Sequence, residues 1–557
     1  MTSDKIRNLS LFSKYKDIDD KIISEFISSV PESFSEAFQI LSSFNKTVDD
    51  FDVLSNRVKI QKSITDFHHS ADTITNEVNN GIKLLNLPDT QIFVTTHQPN
   101  LFAYSGVFRK IVLIQTLKNE IERQQKTKRH IVNVFIIIDH DFMNEIWIRR
   151  AQLPSIRHTK GILEIKLSIN KSNKWNMVCK TPLPRREIMD YWKKQIKSWI
   201  KNLSTSPSLQ SSKKDLFANF EELWMNIESS YSNSKTYSDF NSFLISQIVN
   251  KIWGYDVLFT RLSDISSVFE TGYRHLIQNI DRYTDALRKA EISLSKHNVH
   301  FPGIGSDSNN KSILWIHCKC GSKAAAKLYY SSDDQVQLAG VCISCKNNLR
   351  LHLGKKNELE GLKGNLDNVS PKAIPILLLL SKCLDSVCYA SGSGGVDYMV
   401  FGSGTFKSLN IEKPVNIFWP GRDVYDGIGQ IDALQRIELK SQSDIDVYLD
   451  SLREKEKELG EKIKPLLEER AVKIRSGQQI EKLLSDLFIL KQEQRENRII
   501  RKVTENVRST INLTPCIIDY AVNFGIKNME LQWRENLIKK DNFTLALKLS
   551  MGGKYHC

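Results

Sequence analysis

Three short polar clusters and one set of paired cysteines carry the side chains with which this chain could do chemistry. The first cluster is His97-Gln98-Pro99-Asn100, in which His97, Gln98 and Asn100 can donate hydrogen bonds to a phosphate or carboxylate. The second is Asp139-His140-Asp141. A histidine flanked by carboxylates can move protons, or help hold a nucleotide or a cation. Aspartates also suit helix starts, so the same three residues could serve only to cap a following helix. The third cluster runs from Tyr389 through Ser391, Gly392, Gly394 and Gly395 to Asp397 and Tyr398. Glycines let backbone amides approach an oxyanion closely, although a run of this kind is equally a generic turn.

The cysteines make a sharper pattern. Cys318 and Cys320 form a CxC pair, and Cys342 and Cys345 form a CxxC pair about twenty residues later. Two close pairs on two turns supply the four soft ligands that tetrahedral zinc requires, and Gly321 permits the tight turn after the first pair. Four thiolates leave no open coordination position, so a structural rather than catalytic Zn2+ is expected. His317 is an alternative ligand. Cys383 and Cys388 read as packing residues.

The elements that must position these groups follow from periodicity. Residues 91–95 (QIFVT) are a short β-rich run that ends in the HQPN cluster. Residues 106–125 carry Val107, Ile111, Ile114 and Leu117 on one helical face. Residues 132–138 (VNVFIII) are almost continuously apolar, as a strand buried on both faces should be, and end in Asp-His-Asp. Strand, turn, helix, strand is a βαβ unit, and ligands of such sheets sit at the carboxyl ends of the strands. Residues 1–90 read as a helical lead-in, and residues 170–300 as mainly helical with Trp192, Trp199, Trp224 and Trp253 as packing anchors. Residues 369–417 read as a return to buried-strand and Gly-rich chemistry. Residues 440–508 read as a charged helical hairpin broken at Ser476-Gly477. Its apolar seam comprises Leu449, Leu452, Leu459, Leu483, Leu484, Leu487 and Leu490, which suggests a coiled coil or an ordinary bundle.

At 557 residues the chain should form more than one domain, and 41% hydrophobic with 25% charged residues is ordinary for a globular protein. Its longest apolar run falls far short of a membrane span, and it opens without a signal-peptide pattern. Nine cysteines, an odd number, fit reduced thiols and metal ligation. A cytoplasmic location is expected. The net charge of +14 favours polyanionic or phosphorylated partners, or simply marks a lysine-rich surface.

In their order along the chain the polar clusters resemble those of the BshC family, the cysteine-adding enzymes of bacillithiol synthesis. Thr96 to Phe102, with Ser105-Gly106, sits where that family carries a GQQ-type loop, a Leu-Phe pair and a Gly-containing helix start. Ile138-Asp139-His140-Asp141-Phe142, with Glu145 close behind, is similar to its strand ending in Glu-Asp-His-Asp-Phe. Ser370-Pro371, then Ser391 to Gly395 and Tyr398, is similar to its Ser-Pro segment, GGPGE-type loop and tyrosine. His97 and Pro99 stand where the family has Gly and a second Gln, and Gly395 stands in place of an acidic residue, with Asp397 nearby. The cysteine insert is instead similar to the zinc ribbon of class I lysyl-tRNA synthetases, and the HQPN loop also resembles that of WbqC-like proteins.

The resemblance implies an α/β fold, with a Rossmann-like parallel-sheet core of the class I synthetase and nucleotidyltransferase type and a coiled-coil hairpin; the residue patterns add helical additions and a zinc-ribbon insert. The expected segments are 1–90 (helical lead-in), 91–312 and 355–436 (the two parts of the core), 313–354 (insert), 437–510 (hairpin) and 511–557 (C-terminal segment). It implies a ligase joining cysteine to an amine-bearing acceptor, with ATP as the obvious activating agent, although no Walker A or KMSKS-like sequence occurs. Asp139, His140 and Asp141 would be catalytic. His97, Gln98, Asn100, Gly392, Gly394, Gly395, Asp397 and Tyr398 would bind substrate. The hairpin would support a homodimer. The rival expectations are a WbqC-like transferase acting on an aminosugar or nucleotide-linked substrate, and a zinc-ribbon nucleic-acid-binding protein whose affinity would fall steeply with salt.

Overall fold

In the computed structural model the described residues are 11–44, 46–124, 130–155, 157–206, 213–300, 313–419, 424–437, 442–541, 543 and 546–548. Five strands form the central sheet: β1 (Thr90–His97), β2 (His130–Ile137), β3 (Leu258–Arg261), β4 (Ser386–Gly392) and β5 (Val415–Trp419). Their spatial order is β5-β4-β1-β2-β3, and every neighbouring pair is parallel. The strand order reverses between β1 and β4. That reversal is the topological switch point at which an open α/β sheet leaves a crevice.

Side chains alternate between two cores, as the two-residue period of a strand demands. Phe93, Phe135, Ile137 and Phe259 face one apolar layer with the helix Ser105–Gln124. Ile92, Val94, Val134, Ile136 and Leu258 face the other, which includes residues of helices Phe51–Ser70, Ala373–Leu384 and Ser393–Ser408. Asn133, the polar interruption in β2, is buried; its Nδ2 donates to Gln115 Oε1 at 2.7 Å, while its Oδ1 finds no partner in the protein.

Several sequence expectations need adjusting. The helical lead-in expected before β1 is present, and its helices also pack into the two cores. Arg57, fully buried on one of them, donates to the carbonyls of Leu87, Thr90 and Leu384, tying the amino ends of β1 and β4 together. The apolar run from Ala373 is a twelve-residue helix rather than a strand. It is too long and too leucine-rich for a strand, and β4 follows it.

The cysteine region makes two small antiparallel sheets. One joins Leu314–His317 to Lys323–Ala325 and to Val369–Pro371, and the other joins Lys327–Tyr330, Gln335–Val341 and Asn348–Lys355. The insert therefore closes at Pro371, beyond residue 354.

Helices Gln442–Arg475 and Glu481–Ile511 fold back on each other around Gly477, which takes a φ of +66°. Ion pairs Arg498–Glu456 and Arg508–Asp446 fix the antiparallel register. Leu449, Leu452, Leu459, Leu483 and Leu487 are buried between them, but Leu484 points outward. Ile517–Phe524 and Ile526–Lys540 then return to the main core, where Ile517 N–H donates to the carbonyl of Ala103. Among the described residues no helix is long and apolar enough to cross a membrane.

Candidate active site

Strands β1 and β2 pair in register from Thr90↔His130 to His97↔Ile137, so HQPN and Asp-His-Asp leave the sheet side by side. The two loops touch: Gln98 Nε2 donates to Asp141 Oδ2 at 3.0 Å. β4, on the other side of β1, ends at Gly392 and passes directly into the helix Ser393–Ser408. Thr96 Oγ1 and the Tyr389 hydroxyl, 2.8 Å apart, lock the ends of β1 and β4 together.

Gly392 caps that helix without a side chain. A Cβ on Gly392 or Gly394 would meet only open space, whereas one on Gly395 would run into Ser391 Oγ. The first two glycines leave a bare amide surface at a helix N-terminus, which suits an oxyanion; the third is a packing requirement. Asp397 is turned to the N-terminal segment, where it accepts from the Tyr15 hydroxyl and pairs with Lys14 at 2.7 Å. The Tyr398 hydroxyl has its pKa raised by partial burial and by the negative charges of Asp141, Asp397 and Glu145.

The Asp-His-Asp residues divide their work. Asp139 is fully buried and accepts from the Ser263 amide, the Ser263 hydroxyl and Ser238 Oγ. It braces the end of β2 against the loop after β3 and starts no helix, which removes the capping alternative. The amides of Cys179 and Val178 donate to the carbonyls of Asp139 and Asp141, fixing the loop's backbone.

His140 is buried, and its Nδ1 finds no hydrogen-bond partner in the protein. Burial, with the nearby charges of Lys323 and Lys180, lowers its pKa to about 3, so its imidazole is neutral. Asp141 is only partly buried and carries the loop's accessible carboxylate.

In HQPN, His97 is committed to structure. Its Nδ1–H donates to the Gln98 carbonyl, which leaves Nε2 to accept from the Tyr104 hydroxyl at 3.0 Å. Burial and the positive charge of Lys110 lower its pKa to about 3. Asn100 Oδ1 and Ser105 Oγ, buried at the head of the helix Ser105–Gln124, find no protein partner. Buried polar atoms left unsatisfied at a helix N-terminus are what a ligand or ordered water would complete. Lys110 lies beneath, donating to the carbonyl of Thr96 at 2.8 Å.

The cysteine insert reaches this edge of the sheet. Cys318, Cys320, Cys342 and Cys345 bring their sulfurs within 4.8 Å of one another. His317 is not among them. Its ring lies 4.7 Å from that of His140, its Nδ1–H donates to the Asp367 carbonyl, and its Nε2 accepts from Ser370 Oγ. Ser370, part of the Ser-Pro segment, thus serves the site through His317. Lys323 lies over the rings of Phe142 and Trp315, 4.8 and 4.5 Å from their centroids. Sequence reasoning missed His317 and Lys323 as site residues because nothing in their spacing links them to Asp-His-Asp, almost 180 positions earlier. Three surface cavities of about 290, 330 and 480 Å3 lie elsewhere and contain none of the clustered residues.

An open parallel sheet of order 3-2-1-4-5, with polar loops gathered at its switch point, defines a Rossmann-like α/β protein. The model of the N-terminal Rossmann-like domain of the bacillithiol biosynthesis protein BshC matches residues 5–418, and the chain belongs to the BshC family. No curated protein matches the sequence.

Lys110 makes the site's desolvation measurable. Its pKa is lowered by burial to about 7, against about 10.4 in an unfolded chain. Between those values the unfolded chain binds more protons, so stability rises with pH, by up to about 1.4 kcal/mol per unit, and is level below pH 7. Lys110→Met is expected to flatten that rise. Urea denaturation of both proteins from pH 6 to 10 checks it, and parallel curves would refute it.

Proposed function

We propose that this chain is a ligase-like enzyme that joins the carboxyl group of cysteine, or of a similar amino acid, to the amine of a small-molecule acceptor in low-molecular-weight thiol synthesis. The observation that supports it best is the contact of Gln98 with Asp141 beside the unpartnered His140 Nδ1. It sets a carboxylate able to hold an amine next to a neutral imidazole able to take its proton. As the C–N bond forms, the amine nitrogen becomes positive. His140 accepts the proton and the activating group leaves with the carboxyl oxygen. A buried imidazole is a weak base, but a nitrogen developing positive charge is a strong enough acid to match it. Asp141 orients the amine, and Asp139 keeps both groups in place through Ser263.

Carboxylate activation calls for a phosphoanhydride such as ATP. The amide surface at Gly392 and Gly394 and the unsatisfied Asn100 and Ser105 suit its anionic oxygens. The four-cysteine cluster we assign to structural zinc. Bonds of about 2.3 Å in a tetrahedron require sulfurs about 3.8 Å apart, and Cys318–Cys345 and Cys320–Cys342 stand at 3.5 and 3.6 Å. The helical hairpin we assign to self-association, because Leu484 and Phe488, one turn apart, are exposed on its outer face.

His140→Ala is expected to lower turnover of cysteine with an amine acceptor about 10²–10⁴-fold while the melting temperature holds; unchanged turnover would remove its proton-transfer role. Cys342→Ser is expected to lose most of the bound zinc and to melt earlier. A metal-free wild-type protein on elemental analysis would defeat the zinc assignment. Phe488→Glu should shift the protein towards monomer in light scattering, and a wild type already monomeric at high concentration would dispose of the self-association.

A further inference from the structure

The cysteine knuckle does more than fold itself. The strand Leu314–His317 enters it and the strand Lys323–Ala325 leaves it, so the CxC turn lies between two residues that face the site. His317 lies against His140 at a ring distance of 4.7 Å. Lys323 has a relative exposure of only 4%, and among the described residues its ammonium makes no hydrogen bond or ion pair. It lies between the faces of Phe142, the residue after Asp-His-Asp, and Trp315, the knuckle's own aromatic, and the negative charges of Asp141 and Asp139 act on it without a hydrogen bond. A desolvated ammonium without a hydrogen-bonding acceptor is costly unless a ligand supplies one. The backbone ties the knuckle to the same place. The Met177 amide donates to the carbonyl of Gly321, inside the CxC turn, and the next two amides, of Val178 and Cys179, donate to the carbonyls of Asp141 and Asp139. One short turn therefore has the metal-ligand loop on one side and Asp-His-Asp on the other.

We propose that Lys323 binds an oxyanion of the substrate, a carboxylate or a phosphate, beside His140, and that the four-cysteine metal site is the device that holds Lys323 and His317 there. The inference rests on the zinc assignment for its second half and on the location of the site, but not on the reaction, for its first. The two aromatic faces explain why a lysine can wait there without an acceptor, since cation–π attraction offsets part of the desolvation. They leave the ammonium's hydrogens for a ligand.

The test uses the full-length chain with its metal content measured. Malate and inorganic phosphate are titrated separately by calorimetry, into wild type, Lys323→Met and Lys323→Arg. Met keeps an unbranched chain between the rings, and Arg keeps the charge. Loss of a charge-assisted contact should weaken the bound anion at least about tenfold in Lys323→Met. Melting temperature and zinc content should stay as in wild type, and Lys323→Arg should retain measurable binding. Malate binding that depends on Lys323 identifies the carboxylate, and phosphate binding that depends on it identifies the phosphate. Equal affinity in wild type and Lys323→Met, or no binding of either probe to wild type, overturns the assignment. Stripping the metal with a chelator should weaken the same anion to the same degree. Unchanged affinity after stripping overturns the positioning role while leaving Lys323 as the anion contact. A wild type purified without metal defeats the zinc reading alone, because the comparison with Lys323→Met still reads out.

Discussion

In an open parallel sheet every strand ends on one edge, and the chemistry of this chain depends on that constraint. β1 and β2 run side by side through eight register pairs, and β4 joins β1 from the other flank. The loops after β1, β2 and β4 are therefore brought together whatever the chain does in between. Helices, a cysteine insert and a second apolar layer can all be threaded between β2 and β4 without moving the site, because each crossover returns to the amino end of the next strand. Arg57 holds that amino end by taking the carbonyls of Leu87, Thr90 and Leu384. The opposite edge is held by Thr96 with Tyr389 and by Asp139 with Ser263.

The titratable groups gathered at this edge are held largely out of water. His97, His140 and His317 are all kept neutral, chiefly by burial, each with its pKa lowered to about 3. Lys110 and Lys323 are pulled down by burial to about 7 and about 8. Neutral imidazoles and desolvated lysines stand there beside the carboxylates of Asp139 and Asp141, and an anion bound at Lys323, as proposed, would favour the charge of that lysine and raise the basicity of His140 at once. Binding and proton transfer, as proposed, would then be coupled electrostatically: the imidazole would become a better base when the anion arrives.

What was legible in the sequence was what depends on local pattern. The apolar runs of β1 and β2 end in polar residues within a few positions, so their place at the sheet edge could be read directly. The CxC and CxxC pairs could be read in the same way. The hairpin turn at Ser476-Gly477 followed from one glycine, though the seam was drawn one residue too wide at Leu484, because helical periodicity does not say how much of an apolar stripe a partner covers. The run from Ala373 misled because a fully buried helix and a buried strand share the same unbroken apolar signature. Lys323 and His317 were invisible as site residues for a different reason. Their role comes from the packing of one element on another, and a lysine inside a strand looks like surface until its two aromatic neighbours are known.

The insert is joined to the core at its base, beside the candidate site. Its first strand, Leu314–His317, pairs antiparallel with its last, Val369–Pro371, so the insert leaves and re-enters the core at one point. An element joined in this way adds little constraint to the crossover that carries it and can vary at its far end, in the sheet of Lys327–Tyr330, Gln335–Val341 and Asn348–Lys355, at small cost to the core. Its stem cannot vary so freely. There His317 is bonded to Ser370 across the two strands and lies against His140. If the four cysteines beside that stem hold zinc as proposed, the metal would stiffen a small sheet with little core of its own, where hydrophobic burial alone would leave His317 and Lys323 loosely held. The four-cysteine cluster and the strand pairing thus lie on the same short stretch of backbone, which faces the Asp-His-Asp loop.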